Sequence, residues 1–113
     1  MKNIGGNIEA TLQVKSTEKN EIGEAEKTWV DACSLTGWLD LQSGDSTTNF
    51  NAKTQESTHI FLCDYDSLEG INTDNARMVI NSEVYEIQLM DNPMNMNQHL
   101  EIYLKYIGGG LGV

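Results

Sequence analysis

Apolar and polar residues alternate along much of this chain with a period of two. The alternation is cleanest where Ile8, Ala10, Leu12 and Val14 are interleaved with Glu9, Thr11, Gln13 and Lys15. Successive side chains of an extended strand point to opposite faces, so this stretch predicts a strand with one face in a core. Residues 16–27 are polar and charged and have no apolar face; they are expected to form a long solvated hairpin connection into which the strand ends extend. From Thr28 to Leu41 large apolar residues fall on both parities: Trp29, Cys33, Leu35, Leu39 and Leu41 on one, Val30, Ala32 and Trp38 on the other. Such a run implies burial on both faces or a bulge that shifts register, and Gly37 is the expected site of that bulge or of a sharp bend.

His59 to Asp64 is a short, continuously apolar run that predicts a strand buried on both sides. Residues 65–75 read as a connection in which Leu68 and Ile71 pack back on the core. The last third predicts a three-strand meander: Arg77 to Ile80, a turn at Asn81 and Ser82, Val84 to Met90, a turn at Asp91 to Met94, and His99 to Ile107. Tyr85, Ile87 and Leu89 share one parity there, and Leu100, Ile102, Leu104 and Tyr106 another, so each strand has a face to bury. Pro93 lies in a turn, where its missing N–H harms no ladder. The expected fold is all-β: a small barrel of six to seven antiparallel strands in a single domain over residues 1–113.

One segment does not fit the strand pattern. Residues 42–58 are rich in Ser, Thr, Asn and Gln, with Phe50 as the single large apolar residue and only three charges, Asp45, Lys53 and Glu56. Their composition admits one helical turn near Asn49 to Lys53. Loops of this length are uncommon in compact domains and tend to be functional or disordered.

Charge narrows the function classes. Seventeen acids against seven bases give a formal net charge of −10, with acids gathered in residues 18–26 and 64–74. A phosphate backbone is normally bound by Lys and Arg that displace counterions, so nucleic-acid binding as the primary activity is disfavoured. No apolar run approaches the roughly 20 residues of a spanning helix, and the start of the chain lacks the apolar core of a secretory signal. The chain is therefore expected to remain in the cytoplasm where it is made.

Candidate chemistry is sparse. Cys33 and Cys63 are too few for a disulfide framework, and each sits in an apolar run where a thiol behaves as a small hydrophobe. His59 and Cys63 are four apart and share a strand face, but zinc needs four ligands and no second pair exists. His59 and His99, the usual candidate bases, both open apolar strands, and most carboxylates lie in polar turns. The ending Gly108-Gly-Gly-Leu-Gly-Val reads as a flexible tail over residues 108–113. It opens no helix, so it is not a phosphate loop. No catalytic residue, metal or cofactor is expected.

The order Lys27-Thr-Trp-Val-Asp-Ala, a bent strand, a polar loop, Thr58-His-Ile-Phe-Leu-Cys-Asp-Tyr, an acidic connection, then Ala76-Arg-Met-Val-Ile-Asn-Ser-Glu-Val-Tyr-Glu-Ile resembles the head-tail joining proteins of tailed phages. The ending from Met90 to Gly109 is similar to the last turn and strand of that family. The resemblance covers residues 23–109. Within the family the short length and the long loop before His59 look most like the head-closure, or stopper, proteins of siphophages. Many members carry a basic residue in or just after the strand matching Ile60 to Asp64; this chain has none, so a contact made by that residue does not carry over.

The resemblance implies a structural virion protein of the phage neck, made in the bacterial cytoplasm. Its subunits would form a homo-oligomeric ring, with a dodecamer the expected size. Portal and adaptor proteins would lie on the head side and the tail or tail-completion protein on the other. Double-stranded DNA would pass through without sequence-specific binding. Segment 42–58 matches the family's channel-facing loop, which makes Ser43, Gly44, Asp45, Thr48, Asn49, Phe50, Asn51 and Lys53 the channel candidates. A ring subunit should also expose apolar patches to its neighbours, with Trp38, Phe61 and Tyr103 as candidates on the parity facing away from the core. The alternatives are a tail-completion or terminator ring and, from another class, a monomeric β-barrel binding module of the OB or SH3 type.

Overall fold

In the computed structural model residues 5–19, 21–23, 25–41 and 57–109 are described. They form six strands, β1 (Ile8–Lys19), β2 (Ala25–Leu41), β3 (His59–Asp64), β4 (Ala76–Ile80), β5 (Glu83–Asp91) and β6 (His99–Gly109). A short 3-10 turn, Pro93–Asn95, is the helical element among the described residues. Every neighbouring pair is antiparallel, and the order β1-β2-β3-β6-β5-β4 closes on itself where β4 pairs with β1. The all-β barrel expected from the sequence is thus found, with six strands.

The connections follow from local backbone chemistry. Asn81 and Ser82 both have positive φ, 52° and 63°, the conformation of the tight hairpin turn whose twist matches that of its strands. In the connection before β4, the side-chain oxygen of Asn72 accepts the backbone N–H groups of Asp74 and Asn75, and Asn75 Nδ2 donates to the Gly70 carbonyl. Across the turn before β6, Asn92 Nδ2 donates to Asn97 Oδ1, and the Asn97 N–H donates back to Asn92 Oδ1.

The core fills the barrel interior. Ala10, Leu12, Phe61, Met78, Ile102 and Leu104 are all fully buried, and Leu35, Cys63, Ile80, Tyr85, Ile87 and Leu100 pack with them. Leu68 and Ile71 pack against this cluster from the connection before β4, as the sequence predicts.

Three register shifts decide which side chains point inward. Leu12 lies opposite Cys33 but Gln13 opposite Asp31, so Ala32 is an extra residue in β2. Ile87 lies opposite Leu104 but Leu89 opposite Tyr103, which makes Gln88 the extra residue in β5; Val84 lies opposite Gly108 but Tyr85 opposite Tyr106, which makes Ile107 extra in β6. Each extra residue exchanges inner and outer parity beyond it. Two sequence expectations are corrected as a result. Leu89 leaves the parity of Tyr85 and Ile87 and faces outward opposite Tyr103, while Met90 takes the inner position opposite Ile102 and packs on the core. The bulge in β2 is at Ala32, not at Gly37.

Gly37 sits in regular pairing, opposite Ile8 on one side and Cys63 on the other. A Cβ built there would come within 2.1 Å of the Leu62 carbonyl oxygen. Glycine is required because two backbones approach too closely for any side chain. Gly6 crosses the same point: a Cβ on it would lie 2.2 Å from the Gly37 carbonyl oxygen.

Beyond the last β1–β4 pair, Val14 with Ala76, the β1 and β2 strands continue together to Lys19 and Ala25. This two-stranded arm extends roughly 17 Å past the barrel at strand rise, in a molecule measuring 49 × 32 × 24 Å. The hairpin connection expected over residues 16–27 is therefore mostly strand, with Glu21, Ile22 and Gly23 described as turn and bend between the two strands.

Gly37→Ala is expected to cost about 1–3 kcal/mol by overpacking, seen as a Tm lowered by roughly 5–15 °C at this chain length. Thr36→Ala, at the exposed neighbouring position, should leave Tm nearly unchanged in the same melting experiment.

Candidate functional site

The channel candidates Ser43, Gly44, Asp45, Thr48, Asn49, Phe50, Asn51 and Lys53, and the helical turn expected near them, lie outside the described residues. Both ends of that segment are placed. Leu41 ends β2, 79% exposed, and stands opposite His59, which opens β3. The chain is fastened as it re-enters the barrel. Ser57 is buried, the Thr58 N–H donates to the Leu104 carbonyl at 2.8 Å, and Thr58 Oγ1 accepts the Tyr106 N–H at 2.8 Å.

Thr58 Oγ1 also lies 2.8 Å from His59 Nδ1 and 3.5 Å from the Leu104 carbonyl oxygen. A hydroxyl has one proton to give: it goes to Nδ1 where that nitrogen is bare, and to the Leu104 carbonyl where Nδ1 itself donates. The His59 ring completes an aromatic triangle at this end of the barrel: 5.2 Å edge-on to Tyr85 and 6.4 Å from Tyr106, with the tyrosines 5.4 Å apart. A hydrogen bond with Glu83, followed by burial, raises the Tyr106 phenol, while burial and then the Glu83 charge raise that of Tyr85. Both phenols stay protonated at neutral pH and serve as packing and hydrogen-bonding groups.

The outer face of β2, β3, β6 and β5 carries two adjacent rows. Trp38, Leu62, Glu101 and Asp91 form one; Asp40, Ile60, Tyr103 and Leu89 form the other. Trp38 is 44% exposed, while Ile60, Leu62, Leu89 and Tyr103 are half-buried. Tyr103 Oη donates to Glu101 at 3.3 Å, and His99 Nε2 meets the other oxygen of that carboxylate at 3.0 Å. Burial first, then Glu101 and Asp91, raises the Tyr103 phenol. Of the three apolar interface candidates, Trp38 and Tyr103 lie on this outer face. Phe61 does not: it is 0% exposed, opposite Leu39 and Ile102 inside the barrel, and is a core residue.

Reaction chemistry finds little support. Cys63 is buried, and burial first, with Asp64, Asp66 and Cys33 adding to it, pushes its thiol up to about 12. A thiol held that far above neutral pH is a poor nucleophile. His59 and Cys63 share a face but sit four residues apart on one strand, about 13 Å at strand rise, which is too far to bridge one ion. Among the described residues no group of three or more His, Cys, Asp or Glu side chains could hold a metal.

A cluster that the sequence reading missed lies on the opposite outer face. Arg77, the chain's single arginine, is nearly buried; its Nε donates to Gln13 Oε1 at 2.8 Å, and its guanidinium stacks 4.4 Å from the Trp29 ring. Gln13 Nε2 in turn donates to Asp31, and Lys15 Nζ reaches to 5.6 Å from the same indole. The partners are far apart in sequence and come together only because Gln13 lies opposite both Asp31 and Arg77.

The sequence pattern that defines the phage head completion proteins matches residues 2–105. The chain belongs to the phage head completion protein family. Membership makes it a structural component of the phage head, located in the virion and in contact with other head or tail proteins. This agrees with the head-tail joining resemblance carried by the polar loop and the closing meander. Among solved structures, the solution structure of protein SF1141 from Shigella flexneri 2a superposes with a TM-score of 0.70 over 94% of this chain and 96% of that one, at 20% identity. That likeness shows a shared fold. No curated protein sequence matches.

The raised Cys63 pKa makes alkaline stability a readout of this packing in the head completion protein. A thiol pKa raised by folding contributes stability that is complete below the unfolded value and lost as pH climbs through the folded one. Stability should therefore fall between the ordinary value of 9.0 and about 12, with a slope of about 1.4 kcal/mol per pH unit from this group. Cys63→Ala should remove that slope in urea titrations across the range, while lowering stability at neutral pH by the lost packing.

Proposed function

We propose that this chain is the head-closure, or stopper, subunit of its phage. As a homo-oligomeric ring it joins the portal and adaptor on the head side to the tail, and segment 42–58 of each subunit converges on the channel to retain packaged DNA. The observation that carries the reading is family membership together with the way this segment is anchored. It leaves and re-enters the barrel at adjacent strand ends, Leu41 opposite His59, and its return is held by the Thr58 contacts to β6. Symmetry-related copies of a polar segment with few charges supply many weak contacts, and a transit of DNA can displace such contacts where it would not displace a packed core. The net charge of −10 is consistent with a passage that does not hold DNA by its phosphates. Trp38 and Tyr103, on the outer face, support contact with neighbouring subunits or virion proteins.

Deletion of residues 44–55 tests the reading, because that segment contributes a single large apolar residue, Phe50. The purified deletion protein should melt cooperatively within a few degrees of the wild type, while heads assembled with it lose packaged DNA, measured as the ratio of full to empty particles. Heads that kept their genomes would overturn the gating role.

A further inference from the structure

On the outer face beside the arm lies a groove of about 580 Å³, lined by Lys15, Trp29, Arg77, Val84, Glu86 and Ile107 among others. Its floor is apolar, with Val84 buried and Ile107, the extra residue of β6, 53% exposed. Its charges are arranged unevenly. Glu86 lies opposite Arg77 and Lys105 on the neighbouring strands and accepts a hydrogen bond from Gln88 at 2.6 Å. Asp74 is a second acid on the lining, and Lys15, exposed, is the cation at the rim. In a chain of seven bases and seventeen acids, this face gathers three of the bases, Lys15, Arg77 and Lys105.

The tip of the β1–β2 arm offers the complementary chemistry. Glu21, Ile22 and Gly23 are all exposed there, with Ile22 at 78%. Two copies of a −10 chain repel one another, and a contact that brings acids of one copy to the cations of the other offsets that repulsion. A two-stranded ribbon standing away from its sheet is also marginal in water by itself. The arm cannot fill the groove of its own subunit, because Lys15 and Trp29, which help to line the groove, are the paired residues at the arm's root.

We infer that the arm tip of one subunit docks in the Lys15–Trp29–Arg77 groove of the next copy, with Ile22 against Val84 and Ile107 and Glu21 beside Lys15. The contact joins two different patches, so it is heterologous, and repetition around an axis closes a ring. It presupposes the ring assembly proposed above and names the surface that would build it.

Disulfide trapping with a mild oxidant in assembled particles tests the contact. Ile22→Cys combined with Ile107→Cys should give a ladder of covalently linked copies, absent from each single variant and from the wild type with its Cys33 and Cys63. Particle images that retain the ring while the double variant gives no ladder overturn the docking and leave the ring reading intact. Images without a ring of this protein overturn both. Tip-to-tip dimers from Ile22→Cys alone, or linkage to another virion protein, also overturn it. A charge reversal provides an independent readout. Ile22→Asp should weaken self-association about thirtyfold, and Lys15→Glu and Glu21→Lys should each weaken it, whereas Lys15→Glu with Glu21→Lys should recover most of the loss. Failure of that recovery, with the single variants weakened, counts against the pairing.

Discussion

Closure of the sheet through the pairing of β1 with β4, from Thr11 opposite Val79 to Val14 opposite Ala76, is the constraint on which the rest of the molecule depends. A six-stranded sheet left open would present two edges and could not enclose a core. Once closed, every strand must assign each side chain to the inside or the outside, and the interior has room for a fixed set. Phe61, Leu12, Met78, Ile102 and Leu104 fill it. Bulges at Ala32, Gln88 and Ile107 are the adjustments by which long strands of irregular pattern meet that requirement.

Much of this was legible in the residues. The alternation from Ile8 to Val14, the Asn81-Ser82 turn and the inward parity of Leu100, Ile102 and Leu104 all reappear, since each is a local property of strand or turn backbone. What was not legible required knowledge of pairing. The run from His59 to Asp64 is apolar on both parities, so nothing in it says which side is inside. Phe61 faces the core, while Ile60 and Leu62 line the outer face beside Trp38 and Tyr103. Leu89 was misassigned because a bulge at Gln88 has no composition of its own. The pattern around Gly37 points to a bulge or a sharp bend; the bulge lies at Ala32 instead, and the close approach that demands glycine is visible only from the neighbouring Leu62 carbonyl.

The surface features divide along the same lines. The resemblance pointed to residues 42–58, whose chemistry is polar and whose anchors at Leu41 and Thr58 are well defined. The Gln13–Arg77–Trp29 cluster could not be found from sequence, because its members belong to three strands and meet only in the closed sheet. One faint signal existed: Arg77 is the chain's single arginine and sits inside an otherwise apolar strand, where a charge needs partners to be tolerated.

Leu41 and His59, opposite each other on adjacent strands, put the two ends of the polar segment about one strand spacing apart, roughly 5 Å. A chain excursion that starts and finishes at one place has no span to maintain. Its length can change by insertion or deletion without moving a strand, and each doubling costs only about 0.6 kcal/mol of closure entropy. The same barrel can therefore carry segments of very different reach at this place without any redesign of the core that supports them.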